Sequence, residues 1–303
     1  MNGLIQRLLP IILIGFNFCF AQDCYVFESE PNVNTVRCAV HVYHHDTIPF
    51  SFVATDDVVE AIDYLNIDLN PSNIQVELID IIYVDLDGKD GYLNNEYCFP
   101  SAWAVLNQWG MVQALNTELF LNIYVMPKMC GSILGFAYLT GTTPADGVYV
   151  RTDCFGYQRE GNLPERDLNK TLTHEVGHYF GLHHTFRHVD FCGEDLGDCC
   201  ETGDYVCDTP TTKLNWSCEN PICPTGFYDY IANNYMDYYV DSCKEAFTQG
   251  QINRMQFWLD TERSSLLPTD GCDADIDEDG IVGTNDLLIM LQQWNLQCDG
   301  LQN

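Results

Sequence analysis

The residues of this chain best suited to chemistry lie between positions 174 and 184, in the run His-Glu-Val-Gly-His-Tyr-Phe-Gly-Leu-His-His. Two histidines four apart on a helix stand one turn above each other, so His174 and His178 can direct both imidazoles at one ion. Zinc is the metal this pairing predicts, and a catalytic zinc takes three protein ligands and keeps one position open. Gly181 can adopt positive φ, end the helix and turn the chain back, which brings His184 to the third place. His183 competes for that place, but stands one residue short of the expected spacing. Zinc lowers the pKa of a bound water to about 7. Glu175, next to His174 and not itself a ligand, is placed to accept that water's proton, which predicts hydrolysis of a peptide bond. An ordinary exposed helix would account for an isolated H-E-x-x-H, but not for the glycine and third histidine at these offsets.

A helix must carry this constellation and a sheet must back it. Leu168 to Phe180 lacks proline, sets Leu168, Leu172, Val176 and Tyr179 or Phe180 on one stripe, and stops at Gly181. Upstream, Val36–Tyr43 reads as a strand, and Val58–Leu69 as a helix closed by Asn70-Pro71. Ile74–Val84 and Leu119–Val125 read as strands, as do Gly135–Leu139 and Val148–Val150 around a turn at 141–147. Thr248–Leu259 reads as a last helix. Strand, helix, then further strands predicts an α/β layer whose sheet backs the long helix. Residues 187–230 are crowded with Cys, Asp, Gly and Pro, and read as a loop-rich, disulfide-stapled subdomain that binds ions.

Composition limits the function classes. The hydrophobic fraction of 46% and charged fraction of 19% are those of a folded globular protein. A net charge of −31 repels nucleic acid and anionic membranes, and disfavours a DNA- or RNA-binding role. Residues 1–21, apolar from Leu8 to Phe20, read as a secretory signal peptide cleaved after Ala21, with an uncleaved anchor as the rival. Fourteen of the 15 cysteines follow it, so disulfides are expected in place of thiolate zinc sites. Residues 22–35 form a short leader, too short for a sizeable pro-domain, and Cys24 is expected to be disulfide-bonded. Asn169-Lys170-Thr171 and Asn215-Trp216-Ser217 are glycosylation sequons.

Beyond the zinc signature, the segment 203–210, Gly-Asp-Tyr-Val-Cys-Asp-Thr-Pro, is followed by Asn234-Tyr235-Met236-Asp237-Tyr238 and by Phe247-Thr248-Gln249-Gly250-Gln251 with Arg254-Met255. In this order the four motifs, over about residues 170–256, resemble the pappalysin family of metzincin zinc proteases. The resemblance implies an α+β or α/β metzincin (zincin) catalytic domain over 36–267, with a twisted mixed sheet backing the zinc helix. It places Met236 beneath the zinc as a packing residue and Tyr238 where its hydroxyl can stabilise the developing oxyanion. It makes Asp204, Asp208 and Thr209 candidate calcium ligands, although a solvated acidic loop explains them equally. It implies a protein or peptide substrate paired antiparallel to an edge strand, for which Gly135–Leu139 is the candidate. Asp241 would add negative charge to the pocket beyond the scissile bond and favour Lys or Arg there.

Residues 268–303 form a separate unit. Asp275, Asp277, Asp279 and Asp286 stand at positions one, three, five and twelve of an EF-hand-type calcium loop, with Gly280 at six and Ile281 at the main-chain position seven. Asp at twelve and a helix starting directly afterwards resemble a dockerin repeat, of which only one copy is present. A calcium-stabilised cap or a module for a cell-surface or scaffold partner follows. The chain thus reads as a secreted zinc endopeptidase with structural calcium and no membrane span after the signal peptide. A catalytically silent metzincin scaffold and a calcium-dependent adhesive protein are the competing classes.

Overall fold

The computed structural model describes residues 33–88, 112, 114–139, 143–210, 212–214 and 233–267, together with positions 284, 288 and 291. The anticipated calcium ligands Asp275, Asp277, Asp279, Ile281 and Asp286, like Cys24 and Asn215, lie outside the described residues.

Five strands make one mixed sheet in the order β2-β1-β3-β5-β4. Strands β1 (Asn34–His44), β2 (Ile74–Asp85), β3 (Leu121–Met126) and β5 (Val148–Arg151) are parallel, and β4 (Gly135–Ala137) closes one edge antiparallel to β5. Position in the sheet explains the residue pattern. All six residues of the internal β3 are buried, and its run is apolar except for Asn122. At the opposite edge, β2 alternates more and exposes Ile79 and Tyr83.

Helix α1 (Thr55–Leu69) crosses between β1 and β2 and buries Val58, Ala61, Ile62, Leu65 and Leu69. On the same side lie α2 (Lys170–Tyr179), through Leu172, Val176 and Tyr179, and α3 (Gln249–Thr261), through Ile252, Met255 and Leu259, in one core with β1, β3 and β5. A second core of Tyr43, Leu86, Tyr124, Met126 and Tyr149 forms a separate cluster. Among the described residues, no helix is long and apolar enough to cross a membrane.

The metal-site helix is shorter than its apolar stripe suggests. Leu168 bridges Tyr157, and Asn169 takes φ 63°, so helical geometry starts only at Lys170. Asparagine tolerates this left-handed conformation, and here its amide is tied on both sides. Its Oδ1 accepts the Gly156 N–H, and its Nδ2 donates to the Ala61 carbonyl of α1. Asn169 is therefore buried and bonded, which removes it as a glycan acceptor in the folded state.

The described part of 187–230 is turns without regular elements, and is stapled by the Cys199–Cys207 disulfide. Cys130, Cys192, Cys200 and Cys243 are also disulfide-bonded, whereas Cys38 and Cys154 are free thiols in the core. The even cysteine count therefore overstates the pairing: these two thiols behave as small apolar side chains.

Candidate metal centre and active site

Helix α2 delivers the first three residues of the site. His174 and His178 share one face, and Glu175 lies beside them, with His174 4% and Glu175 6% exposed. The helix then ends at Gly181, whose φ is 87°. The Leu182 N–H donates to the Gly177 carbonyl and the Gly181 N–H to that of His178, the Schellman arrangement. Helix α3 holds this turn. Trp258 packs where a side chain on Gly181 would stand, and Arg254 Nε donates to the Gly181 carbonyl at 2.6 Å. The reversed chain carries His184 back to the other two imidazoles.

The three Nε2 atoms converge: His184 Nε2 is 3.0 Å from that of His178 and 3.3 Å from that of His174. Two nitrogens bound tetrahedrally at 2.0–2.1 Å stand about 3.3–3.4 Å apart, so the spacing fits one small tetrahedral ion. The outer nitrogens agree. His174 Nδ1 donates to the Tyr235 carbonyl and His178 Nδ1 to that of Leu182, each at 2.7 Å, which leaves both Nε2 lone pairs directed inward. Burial holds all three imidazoles neutral, His178 down to about 4, His184 to about 3 and His174 well below its usual value. The rival His183 does not belong to the triad, and its ring packs against Tyr205 instead. Among the described residues one other three-ligand group occurs, Cys199, Cys200 and Cys207, but the disulfide has consumed two of its sulfurs.

Met236 is fully buried under α2, and its Sδ occupies the place that a Cβ on Gly177 would need. The Tyr238 ring stands 4.7 Å from that of His184 and 5.8 Å from that of His174. Burial, then the nearby Glu175 and Asp237, raise its phenol pKa and keep it a proton donor. Burial pushes the Glu175 carboxyl up to about 8, against the pull of the Lys244 ammonium. Its carboxylate lies over Gly135 of β4, where a Cβ would come within 2.5 Å of it. A cleft of about 590 Å³ runs between β4 and α2, lined by residues from Ser132 to Leu139 on one side and by the triad, Glu175 and Tyr238 on the other.

Other anticipated residues lie elsewhere. Asp208 accepts from Thr248 Oγ1 and the Gly250 N–H, and so caps α3. Asp204 accepts from the Val206 N–H and Thr209 Oγ1. The structure thus brings Asp204 and Thr209 together and sets Asp208 at the start of α3, each bonded within the protein. Asp241 is 1% exposed and does not line the cleft; its Oδ2 accepts the N–H groups of Leu168 and Lys170 at the start of α2.

One supporting network escaped the sequence. Asp68 of α1 accepts from Lys170 Nζ, Thr173 Oγ1 and Tyr235 Oη, and so ties α1, α2 and the segment before Met236 together. The only signal was an acidic residue next to the apolar stripe of α1.

The fold and site define a metzincin-type metalloprotease. The sequence profile of the peptidase M43 family, described as pregnancy-associated plasma protein-A, matches residues 107–260, and the chain belongs to this pappalysin family. It is 31% identical over 256 residues to an extracellular metalloprotease of Verticillium alfalfae, which covers 78% of this chain and 82% of that one. It is 41% identical over 143 residues to extracellular metalloprotease 1 of Coccidioides posadasii, 45% of this chain and 48% of that one. The fold is similar to that of mature mirolysin of Tannerella forsythia, solved in complex with a cleaved peptide, with a TM-score of 0.61 and 24% identity over 78% of this chain and 96% of that one.

Proposed function

We propose that this metalloprotease is a secreted zinc endopeptidase, with His174, His178 and His184 as zinc ligands and Glu175 as general base. The observation that carries the reading is the convergence of three Nε2 lone pairs beside one buried carboxylate. When bound, zinc supplies Lewis acidity, polarising the peptide carbonyl and bringing the pKa of water near 7.

The chain's own residues do the rest. Tyr235 and Leu182 hold His174 and His178 in the tautomer that presents Nε2. Glu175 takes the proton from the attacking water and returns it to the departing amine, a role that typically contributes 10²–10⁴-fold. Burial favours the protonated carboxyl and Lys244 opposes it, and a bound zinc would add to that pull and favour the ionised carboxylate this requires. Tyr238 donates its hydroxyl to the carbonyl oxygen as charge develops there. β4 is an edge strand along the cleft, so an extended peptide can pair with it, which supports cleavage of internal bonds.

Secretion is supported by the relatives named extracellular metalloproteases and by the apolar leader. Structural calcium is proposed for the loop Asp275–Asp286 alone. The test is cleavage of a mixed peptide library by purified protein, after chelation and after zinc is restored. Cutting that vanishes and returns, at sites within the peptides, supports the reading. Cutting that survives complete removal of metal contradicts it.

A further inference from the structure

The protein carries 44 acidic against 13 basic residues, yet at the cleft the balance reverses. Arg166, Arg187 and Lys244 line it, and among the described residues Glu175 is its only carboxylate. Two of these cations are spent on the protein. Arg187 donates to the Gly203 carbonyl and stacks over Tyr205. Arg166 donates to the carbonyls of Tyr238 and Tyr239 and stands 3.7 Å from Asp241 Oδ1.

Lys244 is different. It is 5% exposed, and its ammonium makes no hydrogen bond or ion pair with any described residue. An ammonium has three donors to satisfy, and burying it without partners is costly. Asp241 does not discharge it. One carboxylate oxygen is taken by the amides that open α2 and the other faces Arg166. Glu175 and Asp237 also act on the ammonium, but no carboxylate of the described residues pairs with it. A ligand carboxylate would supply the missing acceptors.

Position fixes which part of a substrate arrives there. Asp241, three residues before Lys244, bonds the amides of Leu168 and Lys170 at the start of α2, and Thr171, one helical turn before Glu175, lines the cleft together with Lys244. Resting on the function proposed above, Glu175 returns its proton to the departing amine, so the residue that owns this amine lies on the Glu175 side. We infer that Lys244 is a specificity residue that binds the carboxylate of an Asp or Glu side chain immediately after the cleaved bond. The preference is opposite to the one that Asp241 suggests in the sequence.

The test uses the zinc-loaded protein and a peptide it is found to cut in a library, remade with Glu, Gln or Lys immediately after the cleaved bond. A charge-assisted contact predicts kcat/KM at least about tenfold higher for Glu than for Gln, and higher still than for Lys. Lys244→Met should bring the Glu-to-Gln ratio to about one, and Lys244→Arg should keep it well above one. A ratio within one enzyme is insensitive to general losses of activity, and the wild-type ratio decides even if the Met variant does not fold. Equal wild-type rates on Glu and Gln, or a ratio unchanged in Lys244→Met, would overturn the assignment. Failure of the folded, zinc-loaded protein to cut anything in the library would instead overturn the function beneath it.

Discussion

His174 Nδ1 lies 2.7 Å from the carbonyl oxygen of Tyr235, sixty-one positions further along the chain. A carbonyl can only accept, so the proton is on Nδ1 and the Nε2 lone pair is free for a metal. Tyr235 is in turn fixed by its hydroxyl, which donates to Asp68 at 2.9 Å. The orientation of the first ligand thus rests on α1, an element that contributes nothing to the metal site directly.

Removing Asp68 should therefore cost both stability and metal affinity. Asp68→Ala leaves the Lys170 ammonium without its partner and should destabilise by about 3–5 kcal/mol in chemical denaturation. Loss of an outer anchor of this kind should weaken zinc binding by about tenfold. Tyr235→Phe removes only one hydrogen bond of the network and should cost roughly 1–2 kcal/mol.

Gly135 and Glu175 form a second close pair, in which a Cβ on the strand would lie 2.5 Å from the carboxylate. Gly135→Ala should push the carboxylate aside while leaving the three imidazoles in place. A displacement of about 1 Å costs on the order of 10²-fold in rate. Steady-state kinetics should show that loss, and zinc titration should show unchanged affinity.

Tyr238→Phe isolates the phenol hydroxyl. Removing one donor to a developing oxyanion costs about 10²–10³-fold in kcat, with little change in KM if the contact forms only in the transition state. A KM effect with kcat unchanged would assign Tyr238 to substrate binding alone.

His41 sets a pH dependence away from the metal. It is fully buried in β1, bonds Asn122 at 2.9 Å and stacks on Tyr124, and burial lowers its pKa to about 4. Above pH 6.5 it is neutral in both folded and unfolded chains. As the pH falls from 6.5 to 4 only the unfolded chain gains the proton, so stability is lost on acidification, by about 3 kcal/mol. The stability advantage of wild type over His41→Gln should shrink by that amount between pH 7 and pH 4, as read by denaturation at each pH.

Much of the fold was legible because it rests on local periodicity. Among the described residues, the five strands and three helices were visible within a few residues. The early start assigned to α2 failed because a single left-handed residue, Asn169, held by contacts with 61 and 156, decides where the helix begins. The imidazole triad was legible because a helix and a glycine turn fix its geometry over eleven residues. Asp204, Asp208 and Asp241 were legible as acids, but their hydrogen-bond partners were not. Their acceptors turned out to be committed to amides and hydroxyls, and for Asp208 and Asp241 these donors lie 40 to 73 positions away. Lys244 carries no sequence signal, since what distinguishes it is the lack of a partner in three dimensions.

The central claim is that Glu175 moves the proton while the histidines alone hold the metal. The most direct test compares wild type with Glu175→Gln, measuring bound zinc and peptide cleavage on the same samples. Equal zinc content near one ion per chain, with cleavage reduced at least about 10²-fold in the variant, is the expected result. A variant that keeps its zinc and still cuts at close to the wild-type rate would contradict the claim.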